Sequence, residues 1–273
     1  MTAAIDRPIF IVGPHRSGTT LLLKILADHP AAGWLDRMNH RFPASPRFAA
    51  LLARLLGGDG PKECQHFWDY RWKGADDFMG PDQAGPGVAR WYRRRVARVL
   101  AQRHASRFVA KYPRLSLRLP WLDAVFPGCI FLHMVRDWRA VVNSTVERKL
   151  KRNRREGGWF GVRIPGYREM GDLPPEISSG RIYRLVTHEL ETQAPRYPGR
   201  FFRASYEEIC AEPVASLRRL AGQCGLPFTP DFEAKVPKTL KSANHKWKER
   251  LTPDAVERIR AEDPELFSRY EFT

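Results

Sequence analysis

The sequence has little of what several classes of protein require. Its 4 cysteines are scattered, with neither a CxxC pair nor the histidine spacing of a zinc site, so we expect free thiols in a reducing compartment and no metal site. No run approaches the roughly 18 apolar residues of a membrane span. Residues 1–8 also lack the apolar stretch of a secretory signal. We therefore expect a cytoplasmic protein without an integral membrane segment.

Acidic residues are few relative to basic ones. The chain has 30 Asp and Glu against 46 Lys and Arg, a formal charge of +16, which favours anionic ligands or surfaces. A length of 273 residues is near the upper limit for one hydrophobic core, and 43% of the residues are hydrophobic. We expect a single domain over residues 1–273.

Apolar stretches alternate with helical patterns along the chain, which predicts an α/β fold with a P-loop-like parallel sheet flanked by helices. Long loops rich in Gly and Pro, typical of active-site lids, interrupt this pattern. Thr252 before Pro253 predicts the start of a last helix. The predicted strands are 8–13, 107–113, 129–135 and 200–206, the helices 19–28, 91–104, 138–150 and 213–223, and the loops 57–61, 80–87 and 157–175.

The segment IFIVGPHRSGTTLLLKILADHP, residues 9–30, reads as a strand, a tight loop and a helix. Such a loop directs backbone N–H groups and the positive end of the helix dipole at one point, and therefore binds an anion. Gly13 and Gly18 have P-loop spacing, but Thr19 stands where that motif has its lysine. With Arg16 as the nearby cation, the loop suits a compact phosphate ester better than magnesium triphosphate. A P-loop kinase or NTPase is the alternative enzyme.

A second anion-binding pattern is VRDWRAVVNS. Arg136 ends an apolar strand and Ser144 follows eight residues later in the next helix. A guanidinium at a strand end and a hydroxyl in the following helix can converge on one phosphate. Alone, Arg136 beside Asp137 is more often a surface ion pair.

The two patterns together resemble a known family. PHRSGTTLL is similar to the 5′-phosphosulfate loop, P-x-[KR]-S-G-T-T, of sulfotransferases that use 3′-phosphoadenosine 5′-phosphosulfate (PAPS), and that family spaces its 3′-phosphate-binding Arg and Ser as here. The resemblance implies PAPS as donor and a hydroxyl acceptor on a small molecule, glycan, lipid or peptide. The donor-binding residues that it implies are His15, Arg16, Ser17, Gly18, Thr19, Thr20, Arg136, Ser144, Tyr206, Ser242, Lys246 and Trp247.

The last four of these come from two weaker similarities. SYEEICAEP at 205–213 resembles the family segment in which a tyrosine, here Tyr206, lies near the adenine. KSANHKWKERL resembles the C-terminal stretch that closes over the nucleotide in tyrosylprotein-type and related bacterial members. That similarity implies roles for Ser242, Lys246 and Trp247.

Sulfuryl transfer resembles phosphoryl transfer in its loose, in-line transition state, which needs positive charge at the leaving phosphate and the sulfonyl oxygens. That requirement does not call for a metal ion. Arg16, in the loop, suits the leaving group. Lys111 matches the family lysine that contacts the sulfonyl group.

The general base is harder to assign. Cytosolic members have a histidine two residues after that lysine, where this chain has Pro113. Tyrosylprotein-type members have a glutamate in a G-E-E sequence, and the corresponding stretch GWLDRMNHRF offers only Asp36. Glu63, in GPKECQHFWDY, is our first candidate because it precedes a group of aromatic residues in a donor-proximal loop. His66 and Asp36 are the alternatives.

Two further segments have competing interpretations. GGWFGVRIPGY at 157–167 combines glycines with Trp159, Phe160 and Tyr167, which predicts either a mobile apolar wall of the acceptor pocket or ordinary aromatic packing. The basic runs at 149–155 and 90–107 are compatible with nucleic-acid binding. No recognised nucleic-acid-binding motif accompanies them, so we expect solvated basic surfaces and no nucleic-acid partner.

Overall fold

A computed structural model of the protein describes residues 5–42, 45, 48, 52, 60–70, 72, 74–153 and 160–272. The sequence-based predictions for residues 1–4, 57–59 and 157–159, which include Trp159, lie outside these ranges, as does part of the basic run at 149–155.

Five parallel strands form one sheet, which confirms the predicted α/β class. Their order across the sheet is β2-β3-β1-β4-β5, so β1 lies in the centre, between β3 and β4. The strands are β1 (Ile9–Val12), β2 (Ala32–Gly33), β3 (Arg107–Lys111), β4 (Ile130–Val135) and β5 (Phe201–Ser205).

Helices connect the strands and cover both faces of the sheet. Among the described residues, the α-helices are α1 (Thr19–Ala27), α2 (Arg37–Arg41), α3 (Gln65–Trp68), α4 (Pro86–Gln102), α5 (Leu119–Val125), α6 (Trp138–Asn153), α7 (Pro175–Gln193), α8 (Tyr206–Ala211), α9 (Pro213–Cys224), α10 (Pro230–Glu233), α11 (Pro253–Ala261) and α12 (Pro264–Arg269). Short 3₁₀ segments occupy Pro81–Gln83, Pro113–Leu117, Glu169–Asp172, Ala194–Arg196 and Asn244–Glu249.

Side-chain alternation along β1 builds two cores. Its four residues are fully buried, and successive side chains of a strand point to opposite faces of the sheet. Phe10 therefore packs in a cluster with residues of α4, α5 and α7, whereas Ile9 and Ile11 pack in a second cluster with residues of α1 and α9. A continuous apolar strand is what a parallel sheet covered on both faces requires.

A third cluster joins the C-terminal helices to α6 and α7 through Trp138, Tyr183 and Phe267. The helix start predicted at Thr252 is confirmed, because α11 begins at Pro253 and the Thr252 hydroxyl accepts a hydrogen bond of 3.2 Å from the Ala255 amide. This helix is not the last, since α12 follows it. The four cysteines, all within the described residues, are buried and free, as predicted.

The structure departs from the sequence-based boundaries in several places, and several short helices, such as α5, were not predicted. Helix α4 begins at Pro86, inside the loop predicted over 80–87. The strand predicted over 107–113 ends at Lys111, because Pro113 begins a 3₁₀ segment. The two-residue β2 was not predicted, since it is too short for any periodicity. Helix α7 was also missed, and the loop predicted over 157–175 ends where this helix begins.

We expect His133, on β4, to make the fold sensitive to mild acid. Burial, with a further contribution from Arg203, lowers the pKa of His133 to about 3, whereas an unfolded histidine titrates near 6.5. Because the pKa of His133 is depressed in the folded state, its contribution to the free energy of unfolding is fully present above pH 6.5. That contribution is lost as the pH falls towards 3, by about 1.4 kcal/mol per pH unit.

Urea unfolding of wild type and His133→Leu at pH 7, 6 and 5 checks this expectation. The variant should lose less stability per pH unit than wild type. His188→Leu, which replaces an exposed histidine on α7, should keep the wild-type slope. Equal slopes for wild type and His133→Leu would contradict the prediction.

Candidate active site

The carboxyl ends of the three central strands bring the predicted site together. Since β1 is parallel to both β3 and β4, the loop after Val12, the last residue of β3 and the residue after β4 meet at one edge of the sheet. These are the loop 13–18, Lys111 and Arg136. A cavity of about 660 Å³ opens at this edge.

The loop between β1 and α1 requires its glycines. Gly13 and Gly18 have φ values of 145° and 100°. A Cβ atom on Gly13 would lie 2.6 Å from the Met134 carbonyl oxygen, and one on Gly18 would lie 2.7 Å from a ring carbon of Tyr206. The loop therefore packs too closely on β4 and α8 for a side chain at either position.

The same loop presents a positive surface to the cavity. Arg16 adopts the left-handed conformation, with a φ of 69°. Left-handed residues in such turns direct successive N–H groups to one side, and the first N–H groups of α1 have no partner within the helix. His15, Arg16, Gly18, Thr19 and Thr20 line the cavity, so the loop can hold an anion there.

Hydrogen bonds fix the loop from behind. The Ser17 hydroxyl donates to the Pro14 carbonyl at 2.8 Å. The Gly13 amide donates to the Ser116 hydroxyl at 2.9 Å, and that hydroxyl donates to the Gly13 carbonyl at 3.1 Å. Buried Ser17 thus stabilises the loop and does not line the cavity. Ser116 was not predicted, because nothing in its 3₁₀ segment marks it in the sequence.

Arg16, Arg136 and Ser144 are adjacent in the structure. The Arg16 Nε donates to the Ser144 hydroxyl at 3.0 Å, and an Arg136 Nη donates to the Arg16 carbonyl at 2.9 Å. Arg136 lines the cavity and is 7% exposed. The guanidinium and hydroxyl that the sequence spaced eight residues apart therefore lie beside the anion-binding loop.

Asn244 holds Arg136 from the C-terminal segment and was missed by the sequence analysis. Its side-chain oxygen accepts from the Arg136 Nε at 2.9 Å, and its side-chain nitrogen donates to Glu207 at 2.6 Å. Tyr206 lies under Arg136, with 4.2 Å from the guanidinium carbon to the ring centroid. The Ala243 amide donates to the Tyr206 hydroxyl at 3.4 Å. These contacts fasten the segment to Arg136.

The other predicted residues of this segment lie outside the cavity lining. Ser242 and Lys246 are exposed, and the Ser242 hydroxyl accepts from the Asn244 amide at 3.3 Å. Trp247 packs against Arg139, with 4.7 Å between the guanidinium carbon of Arg139 and the centroid of the Trp247 ring. The segment is therefore connected to the cavity lining through the contact of Asn244 with Arg136.

Lys111 and Glu63 form an ion pair inside the cavity. The Lys111 ammonium also donates to the Thr20 hydroxyl at 3.0 Å. The side chain of Lys111 is 4% exposed and that of Glu63 is 45% exposed. Burial lowers the pKa of Lys111, and the Glu63 carboxylate acts in the opposite direction. The pair places a cation and a carboxylate within reach of the same ligand.

The two alternative bases have other partners. The Asp36 carboxylate caps α2 by accepting from the Asn39 amide at 2.9 Å, and it forms an ion pair of 2.9 Å with Arg103. His66 stacks on His40, with 4.1 Å between ring centroids. Neither Asp36 nor His66 lines the cavity, whereas Glu63 does. The geometry therefore favours Glu63.

The described part of the loop 157–167 forms one wall of the cavity. Phe160 and Gly161 line the cavity, and the centroids of the Phe160 and His15 rings are 5.5 Å apart. Two hydrogen bonds to Asp77 anchor the loop: the Asp77 amide donates to the Arg163 carbonyl at 2.7 Å, and the Arg163 amide donates to the Asp77 carboxylate at 2.6 Å. Tyr167 packs against the core and does not line the cavity.

Electrostatically, the cavity is cationic. Burial and the neighbouring charges of Lys111, Arg114 and Arg16 lower the pKa of His15 to about 3, so this histidine is neutral at physiological pH. Arg114 and Arg148 also line the cavity and were not predicted. Arg114 follows Pro113 directly, but a basic residue at that position has no recognisable spacing to another motif.

Comparison with known proteins decides the family. The model of the sulfotransferase family matches residues 8–230, which include both anion-binding patterns and the Lys111–Glu63 pair. The chain belongs to the sulfotransferase family. As a member, it shares 27% identity over 269 residues with the omega-hydroxy-beta-dihydromenaquinone-9 sulfotransferases Stf3 of Mycobacterium bovis and Mycobacterium tuberculosis. That match covers 87% of this chain but only 66% of the Stf3 chains.

Solved structures of similar fold are also sulfotransferases. STF9 of Mycobacterium avium matches with a TM-score of 0.64 and 19% identity, over 97% of this chain and 78% of its own. STF1 of Mycobacterium tuberculosis matches with a TM-score of 0.60 and 18% identity, over 94% of this chain and 76% of its own. At these identities the likeness concerns the fold.

Within the described residues of this sulfotransferase, no helix has the length and apolar character to cross a membrane.

Proposed function

We propose that this sulfotransferase transfers a sulfuryl group from PAPS to a hydroxyl acceptor, in line and without a metal ion. One observation carries the proposal: the anion-binding loop, Arg136 and the Lys111–Glu63 pair border a single cavity. A donor with a phosphosulfate at one end and a 3′-phosphate at the other requires two cationic positions. A transfer to a hydroxyl group requires a base nearby.

The donor would be held by groups that the fold already fixes. The amides of the loop 13–18 and the side chain of Arg16 suit the 5′-phosphosulfate, because helix N-termini and guanidinium groups both bind phosphate esters. Arg136 and Ser144 suit the 3′-phosphate, since both contact Arg16 at the adjacent end of the cavity. Asn244 orients the Arg136 guanidinium for that role.

The chemistry would rest on Lys111, Arg16 and Glu63. Buried Lys111 places its charge where the sulfonyl oxygens gain negative charge, and Arg16 stabilises the leaving phosphate. Glu63 accepts the proton of the acceptor hydroxyl once the donor has drawn Lys111 away from it. These side chains supply the positive charge that magnesium supplies in many phosphoryl transfers, and this is our reason for proposing a metal-independent reaction.

The acceptor class follows less directly. The Stf3 relatives are named for an omega-hydroxy compound, so a hydroxyl acceptor is consistent with the family. Because the chain spans 66% of the length of the Stf3 chains, we propose only the class of the acceptor, a hydroxyl group on a small molecule, glycan, lipid or peptide. A nucleic-acid partner has no support in the site, since its cations converge in a cavity and do not follow an extended surface.

A ligand comparison tests the donor assignment. We expect adenosine 3′,5′-bisphosphate, the product nucleotide, to raise the melting temperature by binding the folded state, and magnesium ATP to raise it little. The reason is that Thr19 stands where a P-loop has the lysine that binds a triphosphate, while Arg136, which lines the cavity, is proposed to bind a 3′-phosphate. Equal thermal shifts from both ligands would count against a PAPS-dependent sulfotransferase and in favour of a P-loop kinase or NTPase.

Replacing Arg136 with Ala should weaken binding chiefly through the 3′-phosphate. A hydrogen bond to a charged group contributes about 1.5–3 kcal/mol, so we expect a loss of roughly 10- to 150-fold in affinity for adenosine 3′,5′-bisphosphate. Calorimetric titration with this ligand and with adenosine 5′-phosphosulfate, which lacks the 3′-phosphate, gives the comparison. An equal loss for both ligands would show that Arg136 has another role.

A further inference from the structure

Two arginines line the cavity without a task in the donor binding proposed above. Arg114 lies three residues beyond Lys111, and Arg148 lies on α6, one helical turn beyond Ser144. Both line the same cavity as Phe160 and Gly161. Their charges are therefore open to a second ligand bound beside the donor.

A network of ion pairs holds Arg114 in place. Its Nη1 lies 2.9 Å from Asp69 and its Nε lies 3.2 Å from Asp77. Arg118 lies 2.9 Å from Asp69 and Arg163 lies 3.1 Å from Asp77, so the network contains three arginines and two aspartates. One positive charge is left uncompensated, and Arg114 is the member of the network that lines the cavity.

Arg148 differs from its neighbours in having no partner in the described part of the chain. Three residues further along α6, Lys151 pairs with Glu147. The Arg148 guanidinium makes no hydrogen bond or ion pair with any residue that the structure describes, although it is exposed and lines the cavity. A cation in this situation can meet a ligand at no cost in broken contacts.

The donor's own negative groups already have partners. The loop amides, Arg16 and Lys111 serve the phosphosulfate end, and Arg136 serves the 3′-phosphate end. We infer that the acceptor of this sulfotransferase is an anionic hydroxyl compound, whose carboxylate or phosphate group binds between Arg148 and Arg114 while its apolar body lies along Phe160 and His15. This inference rests on the proposed function.

A titration in two stages tests it. Adenosine 3′,5′-bisphosphate is first bound to saturation, and the complex is then titrated with 4-hydroxybenzoate or with its neutral analogue 4-hydroxybenzamide. We expect wild type to bind the benzoate at least about tenfold more tightly, because a charge-assisted hydrogen bond contributes roughly 1.5–3 kcal/mol. In Arg148→Gln this preference should fall at least about threefold, and the part that remains is assigned to Arg114. Arg258→Gln, which removes an exposed arginine of α11 outside the cavity lining, should keep the wild-type preference.

The possible results of this titration separate the anionic-acceptor inference from its alternatives. Equal binding of 4-hydroxybenzoate and 4-hydroxybenzamide to wild type, or a preference for 4-hydroxybenzoate that is undiminished in Arg148→Gln, overturns the inference. A loss of affinity for adenosine 3′,5′-bisphosphate itself in Arg148→Gln also overturns it, because Arg148 would then belong to the donor site. If wild type does not bind adenosine 3′,5′-bisphosphate in the first stage, the proposed donor is wrong. The experiment therefore distinguishes an error in the donor from an error in the acceptor class.

Discussion

Glu63→Gln should lower kcat by at least about a hundredfold while leaving the affinity for adenosine 3′,5′-bisphosphate nearly unchanged. Loss of a general base typically costs about 10² to 10⁴ in rate, and Glu63 is the carboxylate that lines the cavity among the three candidate bases. The measurement is sulfuryl transfer from labelled PAPS to the hydroxyl compound that reacts fastest in a screen. Nucleotide affinity and melting temperature are measured on the same preparation.

The ion pair with Lys111 provides a second explanation that the experiment must separate. Glu63 raises the pKa of Lys111 against the effect of burial, so the pKa of this lysine falls further in Glu63→Gln. If Glu63 acts only by keeping Lys111 protonated, lowering the pH restores the activity of the variant. A missing base is not restored in acid, because protonating the lysine supplies no proton acceptor. Recovery at low pH, or a near-wild-type kcat, would reject Glu63 as the base.

Lys111→Met should lower kcat by about 10²- to 10³-fold, the usual effect of removing one group that stabilises transition-state charge. Methionine keeps most of the buried aliphatic length, so the fold should tolerate the change better than it tolerates alanine. Affinity for adenosine 3′,5′-bisphosphate should change little, since this product lacks the sulfuryl group that Lys111 is proposed to contact.

Lys151→Met is the matched control, because it removes a lysine on α6 that is exposed and lies outside the cavity lining. Its kcat should equal that of wild type. If Lys111→Met weakens nucleotide binding as much as it lowers kcat, Lys111 holds the donor in the ground state and has no special role in the transition state.

Local sequence patterns were sufficient to predict the sheet class and the loop between β1 and α1. The apolar run before Gly13 predicts a buried strand, and Thr252 with Pro253 predicts a helix start, because each signal depends on neighbouring residues alone. The anion-binding loop was also recognisable, since its strand, glycines and helix are contiguous. Helix α7 was missed because its buried face is polar in part, with Ser178, Ser179 and Thr187 among its buried residues.

From the sequence alone we could predict the sheet class, the strand–loop–helix unit over residues 9–30 and the proximity of Arg136 and Ser144, which both contact Arg16, because these depend on contiguous residues or on one fixed spacing. The tertiary structure was needed to show that Glu63 lines the cavity whereas Asp36 and His66 do not, and it also revealed the contacts of Ser116 and Asn244 and the positions of Arg114 and Arg148. Those residues are joined to the site by parallel strand order and by side-chain contacts across up to 108 positions of sequence. Contacts of that range leave no periodic signal in the chain, so they become visible only when β3, β1 and β4 place their carboxyl ends side by side.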